Sequence, residues 1–261
     1  GTTLINRQTL PLSLTPAGEM FLELCERVTR DVRDTRERIA ALEAEASARI
    51  SVGSTQGLFS HFYQGWARRA GIAERLQLNL KATNWIGEQF LDALEAGECE
   101  LVLCYWHRDL PWGERLTPER FDWLVLAQEN LVPVSVATDQ GAPRFPLPGS
   151  PEQPVPLIAY HSRGFLQSAI EAHLARLNQA VNLLPLNENT QSASIKALVK
   201  QGFGMGWLPQ RMTERSEQFG RLVRAGDERW DVPLEIRLIR LREARSDDLL
   251  TLWKQLESQH A

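Results

Sequence analysis

The chain reads as an α/β protein of the doubly wound kind, with a long helix in front of it. Two observations predict this. Apolar residues recur at heptad spacing between Thr15 and Ala46, and short β-rich runs then alternate with helical runs from Ala48 to the end. Composition allows such a fold: 261 residues, 43% of them apolar, can bury a large core or two ordinary ones.

The helix opens on Thr15-Pro16, a side-chain oxygen to cap it and a proline at its first position. Phe21, Cys25, Val28, Val32, Thr35, Ile39, Leu42 and Ala46 then follow at spacings of 4, 3, 4, 3, 4, 3 and 4. Charged residues fill the other positions. A helix of about 30 residues spans about 45 Å, and so narrow a seam needs a partner helix. The expected partner is a second copy, with Phe21, Cys25, Val28, Val32, Ile39 and Leu42 as the dimerisation residues.

Beyond the helix the period changes. Ala48–Ser54, Leu76–Thr83 and Glu100–Tyr105 read as strands, with helices at Leu58–Ala70 and Trp85–Ala96 between them. Phe121–Ala127 and Leu131–Ala137 read as two strands interrupted by Gln128-Glu129-Asn130. Residues 139–156, rich in proline and glycine, form a surface excursion. A second alternating series follows: strand Val155–Tyr160, helix Phe165–Leu177, strand Val181–Asn187, helix Thr190–Gln201 stopped by Gly202, strand Met205–Leu208. Strands Arg221–Val223 and Leu234–Arg240 and a closing helix Asp247–Gln259 complete the chain.

Net charge is −4 and the pI about 5.8. Residues 1–47 hold six arginines against eight acidic residues. Nucleic acid is therefore not gripped over the whole surface. Three irregularly spaced cysteines suit a reducing compartment, and the expected location is the cytoplasm. Cys99 and Cys104, five apart in a strand-like run, are expected on opposite faces, unable to share a metal. No run approaches a membrane span.

Ligands of doubly wound folds bind outside the carboxyl ends of the strands. Those ends give Ser54, Thr55 and Gln56; Thr83, Asn84 and Trp85; Tyr105, Trp106 and His107; Tyr160, His161, Ser162 and Arg163; and Asn187, Asn189, Thr190 and Gln191. The small-molecule-binding set predicted from them is Ser54, Thr55, Gln56, Trp85, Tyr105, Trp106, Tyr160, His161, Ser162, Asn189 and Gln191. Hydroxyl and amide side chains beside helix N-termini suit an anion or carboxylate, although Ser54, Thr55 and Asn189 equally suit helix capping. No catalytic constellation, dinucleotide fingerprint, metal spacing or cofactor-binding motif is seen, so no enzyme, cofactor or metal is expected.

The first 23 residues, GTTLINRQTLPLSLTPAGEMFLE, resemble the wing and linker-helix start of LysR-type transcriptional regulators. Gly1, Leu4, Arg7, Leu14, Thr15, Pro16, Ala17 and Gly18 carry the match, and Ile5 departs from the usual phenylalanine. The run Gly202-Phe203-Gly204-Met205-Gly206-Trp207-Leu208-Pro209 is similar to a second stretch common in that family. The resemblance implies a helix-turn-helix upstream of residue 1. It also implies a wing remnant over 1–14 with Arg7 on DNA, and a linker helix over 15–47. The effector domain would resemble type 2 periplasmic binding proteins, with subdomain I at 48–128 and 226–261 and subdomain II at 129–225. Implied partners are promoter DNA, a small-molecule effector and further copies of the chain, with no membrane. Ile5-Asn6-Arg7-Gln8, Tyr160-x-x-Arg163 and the glycine run resemble the hypochlorite-responsive subgroup, which implies a part in oxidative stress. That subgroup's sensing methionine matches Leu166 here, which argues against methionine-based sensing. The alternative reading is a periplasmic-type solute-binding module, which has no use for a wing or a heptad helix.

Overall fold

The computed structural model describes residues 2–6, 13–45, 49–79, 82, 85, 87–110, 112–177, 179–217, 222–243 and 246–260; at 34, 37–45, 214–217 and 260 it describes the backbone alone. Two compact units result, Gly1–Arg49 and Ile50–Ala261. Arg7 and Ala46 lie outside the described residues, as do the side chains of Ile39 and Leu42.

In the first unit, strands β1 (Ile5–Asn6) and β2 (Ser13–Leu14) pair antiparallel, with Ile5 opposite Leu14. Helix α1 runs Pro16–Glu45 as one piece. Thr15 caps it: its Oγ1 accepts the Gly18 N–H at 3.1 Å and donates to Thr3 O at 2.7 Å. Gly18 must be glycine, because a Cβ there would stand 2.0 Å from Leu4 O. We expect Gly18→Ala to detach residues 2–6 from the helix start, although alanine favours the helix itself by about 1 kcal/mol. Faster proteolysis before residue 15, with α1 helicity retained, checks this. Phe21, Val28 and Val32 stand about half exposed along α1, and Cys25 is exposed.

The second unit is built on a mixed sheet in the order β10-β6-β11-β5-β3-β4. Its strands are β3 (Ile50–Ser54), β4 (Leu76–Asn79), β5 (Leu101–Trp106), β6 (Phe121–Val136), β10 (Leu222–Arg224) and β11 (Val232–Leu241). Strands β4, β3 and β5 are parallel, and β11 returns antiparallel beside β5. A short strand β9 (Gly206–Pro209) also pairs with β6. Strands β7 (Val155–Tyr160) and β8 (Leu183–Asn189) pair in parallel. Ile158 N donates to Met205 O and Met205 N to Pro156 O, which ties β7 to the segment entering β9. This explains the glycine run: a Cβ on Gly204 would stand 2.6 Å from Pro156 O.

The expected break at residues 128–130 is absent: β6 is one strand of 16 residues. Gln128, Glu129 and Asn130 stay in the ladder opposite Glu235, Leu234 and Pro233 of β11. Glu129 is buried and ion-paired with Arg211, so the polar run follows the strand without leaving it. Arg211 belongs to a helix that the sequence reading passed over, α7 (Gln210–Glu217), which follows Pro209 directly. The helix foreseen from Trp85 is described only over Gln89–Glu95, labelled α4.

Both faces of β5 are covered. Leu101, Leu103 and Tyr105 enter the main core, whereas Val102 and Cys104 enter a second cluster with Phe90, Leu91 and Trp112. Cys99 joins that second cluster as well. The expectation of opposite faces fails because Cys99 precedes the strand, where the alternation of period two has not begun. Burial pushes both thiols up to about 12, so they pack as small apolar groups. Among the described residues no group of three or more His, Cys, Asp and Glu is placed to hold a metal. No helix among them is long and apolar enough to cross a membrane.

Candidate effector-binding cavity

The carboxyl ends of β3, β5, β7 and β8 converge on a cavity of about 280 Å³. Thr55, Gln56 and Gly57 follow β3 into helix α2 (Gln56–Leu58), which continues through a π turn to α3 (Gln64–Arg69). Thr55 caps this helix, accepting the Leu58 N–H at 3.4 Å. Tyr105 comes from the end of β5, its ring stacked on Phe165 with centroids 6.5 Å apart and planes at 8°. Trp85 and Phe90 add a wall in edge contact at 5.6 Å. Across the cavity stand Tyr160 at the end of β7 with His161 after it, and Asn189 at the end of β8 with Thr190 and Gln191 after it.

Local hydrogen bonds fix this far side. Tyr160 Oη and Ser192 Oγ are 2.8 Å apart, and burial raises the Tyr160 pKa. His161 N donates to Asn189 O at 2.9 Å, and His161 Nδ1 accepts the Arg163 N–H at 3.2 Å. With Nδ1 accepting, the neutral ring carries its proton on Nε2. Helices α5 (Phe165–Arg176) and α6 (Ser192–Lys200) both begin at the cavity.

Three predicted residues lie elsewhere. Ser54 is buried and donates to Leu103 O at 2.9 Å. Trp106 points to the opposite face from Tyr105, as alternation requires. Its ring meets Trp112 at 5.8 Å and carries the Arg237 guanidinium at 4.2 Å. Ser162 is exposed, and its N–H and hydroxyl donate to Glu188. Thr83 and Asn84 lie outside the described residues. The predicted set left out Gly57, Gly87, Phe90, Gly164, Phe165, Ser192 and Leu166, the last named from the sequence only as the match of a sensing methionine; all of them line the cavity. Extending each strand end into the first turn of the next helix would have found Phe165, Leu166 and Ser192.

His107 is buried outside the cavity, its Nδ1 accepting the Asp109 N–H at 3.2 Å. Burial lowers its pKa below the ordinary 6.5; Asp109 opposes the shift, and Arg176, Arg108 and His173 reinforce it. The unfolded chain therefore takes up a proton near pH 6.5 that the folded chain refuses. Stability should fall as pH drops below 6.5 and level off below the folded value. Asp109, held low by its hydrogen bond to Arg176, loses its contribution only in more acid solution. We expect a lower Tm at pH 5 than at pH 7, and a smaller difference in His107→Gln, measured by thermal melts.

Residues 43–261 match the LysR substrate binding domain. The regulator YjiE of Escherichia coli K12, described as an HTH-type transcriptional regulator, is 20% identical over 98% of this chain and 80% of its own. Among solved structures, the fold is shared with full-length HypT of Salmonella typhimurium, a hypochlorite-specific LysR-type regulator. The TM-score is 0.73 at 20% identity, covering 100% of this chain and 83% of that one. Vibrio fischeri DarR in complex with DNA gives 0.65 at 19% identity, covering 97% and 82%. The fold is thus the type 2 periplasmic-binding-protein-like fold of LysR regulatory domains, and the solute-binding alternative falls away. Members of that family regulate transcription and are not enzymes. On the match over residues 43–261, the chain belongs to the LysR family of transcriptional regulators.

Proposed function

We propose that the protein is a cytoplasmic, ligand-responsive regulator that reads a small molecule in the cavity between two α/β subdomains. The observation that carries this reading is the cavity itself, about 280 Å³ at the carboxyl ends of four strands inside the family-matched domain. Subdomain I comprises 48–128 and 226–261, and subdomain II 129–225, with β6 and β11 as the crossing strands. Thr55, Gln56, Trp85, Tyr105, Tyr160, His161, Asn189 and Gln191 are the proposed effector contacts. An effector that binds one arrangement of the subdomains better than another shifts the population toward it. Residues 1–14 act as a wing with Arg7 on phosphate, and residues 15–47 as the linker. The seam Phe21, Cys25, Val28, Val32, Ile39 and Leu42 joins two copies, so that the oligomer grips paired promoter half-sites. A response to oxidants is supported by the likeness to HypT.

The test is chromatin immunoprecipitation with the tagged protein expressed from its own gene. Enrichment of a small set of promoters, changed by loss of the cavity, is the expected result; no enrichment over an untagged strain overturns the proposal. Separately, Val28→Glu with Val32→Glu is expected to convert a dimer or larger oligomer to monomer at micromolar concentration, read by light scattering. A wild-type monomer would sink the seam.

A further inference from the structure

We infer that the ion pair between Asp109 and Arg176 is a catch: made, it holds the cavity narrow, and broken, it lets the cavity open. This rests on the two subdomains proposed above. The pair joins two supports, the loop after β5 and helix α5, which on that reading belong to different subdomains. Each support has its other end in the cavity wall. Tyr105 lies at the end of β5, and Phe165 and Leu166 open α5. At that end the supports meet through rings, Phe165 against Tyr105 and Trp112 at 6.5 and 6.3 Å. Such apolar contacts are non-directional and tolerate sliding. Among the described residues, Asp109 with Arg176 is the one ion pair between the supports.

Both partners are held in place. The Asp109 N–H donates to Nδ1 of buried His107 at 3.2 Å, and Leu110 N donates to His107 O at 3.3 Å, which fixes the turn that carries the carboxylate. Arg176 is the last residue of α5. Three residues earlier, His173 Nε2 donates to Arg229 O at 2.9 Å, on the chain that leads into the crossing strand β11. The end of α5 is therefore anchored at the crossing, and Arg176 reaches from there to the loop. The hydrogen bond from Arg176 holds the Asp109 carboxyl below the usual carboxylate range, so the pair is charged at neutral pH. Its strength suits a catch. The side chains of Arg176 and Asp109 are 47% and 29% exposed, and so exposed a pair changes an equilibrium only a few-fold. It biases two arrangements without locking either, and a ligand that binds one of them better outweighs it.

The test reads the distance between the subdomains by electron–electron double resonance, with no ligand added. Spin labels go on the whole chain at Glu74→Cys and Lys200→Cys, both exposed, in a Cys25→Ser background; the other two cysteines are buried. Labelled chain is diluted into an excess of unlabelled chain, so that distances within one copy are read. Asp109→Asn and Arg176→Gln, each close in shape to the original, should each raise the ratio of the open to the narrow distance by about two- to fivefold. The double variant should be no more open than either single one, because each removes the same bond. A distance distribution unchanged in both single variants overturns the catch. Effects that multiply in the double variant also overturn it, since two residues acting separately would give them. Failure here leaves the cavity reading intact, because no ligand takes part; the cavity reading fails instead if ligand binding survives a blocked cavity (Leu166→Trp).

Discussion

Trp207→Ala is expected to cost the Ile50–Ala261 unit about 4 kcal/mol of stability, read as a fall in the denaturation midpoint at unchanged slope. Trp207 is 1% exposed on β9, where it pairs with Pro133 of β6. Its Nε1 donates to Trp230 O at 2.8 Å, beside the start of β11. One side chain therefore packs the core where both long strands pass and satisfies a backbone carbonyl of the chain that leads into β11. Alanine leaves a large cavity and an unpaired acceptor together. Trp207→Phe separates the two terms: it keeps most of the volume and loses the hydrogen bond, for about 1–3 kcal/mol. Circular dichroism is the suitable signal, because eight tryptophans share the fluorescence. A loss below about 1 kcal/mol for Trp207→Ala would show that this part of the core repacks freely.

The fold was legible wherever local pattern and tertiary environment agree. β5 is a short apolar run buried on both faces, and such a run announces itself, while β3 was readable from its alternation. Thr15 was readable as a cap because capping needs only the residue and the helix that follows it. Glu129 was not readable in its strand. Its place in β6 depends on Arg211, 82 residues further on, and a polar triplet without a visible partner looks like a turn. Helix α7 was hidden for a related reason: Pro209 reads as a stop, yet a proline just before a helix costs nothing where N–H groups are already unpaired. Cys99 misled because alternation was extended two residues beyond the strand that imposes it.

The cavity was half legible, and the division is physical. Strand ends point ligands toward a known side of the sheet, so Thr55, Tyr105, Tyr160, Asn189 and Gln191 fell into place together. Which of two adjacent end residues faces the cavity is set by strand phase: Tyr105 and Trp106 are both aromatic, and only the ladder with β11 separates them. Ser162 was lost to Glu188, a partner on the neighbouring strand β8. The first turns of α5 and α6 were missed because Phe165 and Leu166 look like helix core in sequence. Their position at the mouth of a helix beside Tyr105 turns apolar bulk into cavity wall.

That wall gives the sharpest functional expectation. Leu166→Trp should abolish effector binding, by a hundredfold or more in affinity (about 3 kcal/mol), and with it any ligand-dependent change in promoter occupancy. Leu166 sits in the first turn of α5, half-buried, packed against the edge of the main core and lining the cavity. An indole there has room to enter the cavity without displacing backbone, so stability in the absence of ligand should change by less than about 1 kcal/mol, unlike a substitution that overpacks a filled core. The check is a thermal-shift screen of a metabolite library against both proteins. Compounds that raise the Tm of the wild type should leave Leu166→Trp unmoved. A compound that stabilises both to the same degree binds elsewhere, and if every active compound behaved so, the cavity would be packing and not a sensor. The same result would separate the chain's two jobs: Leu166→Trp should still occupy its promoters, but indifferently to the effector, because the substitution acts only through what it excludes from the cavity.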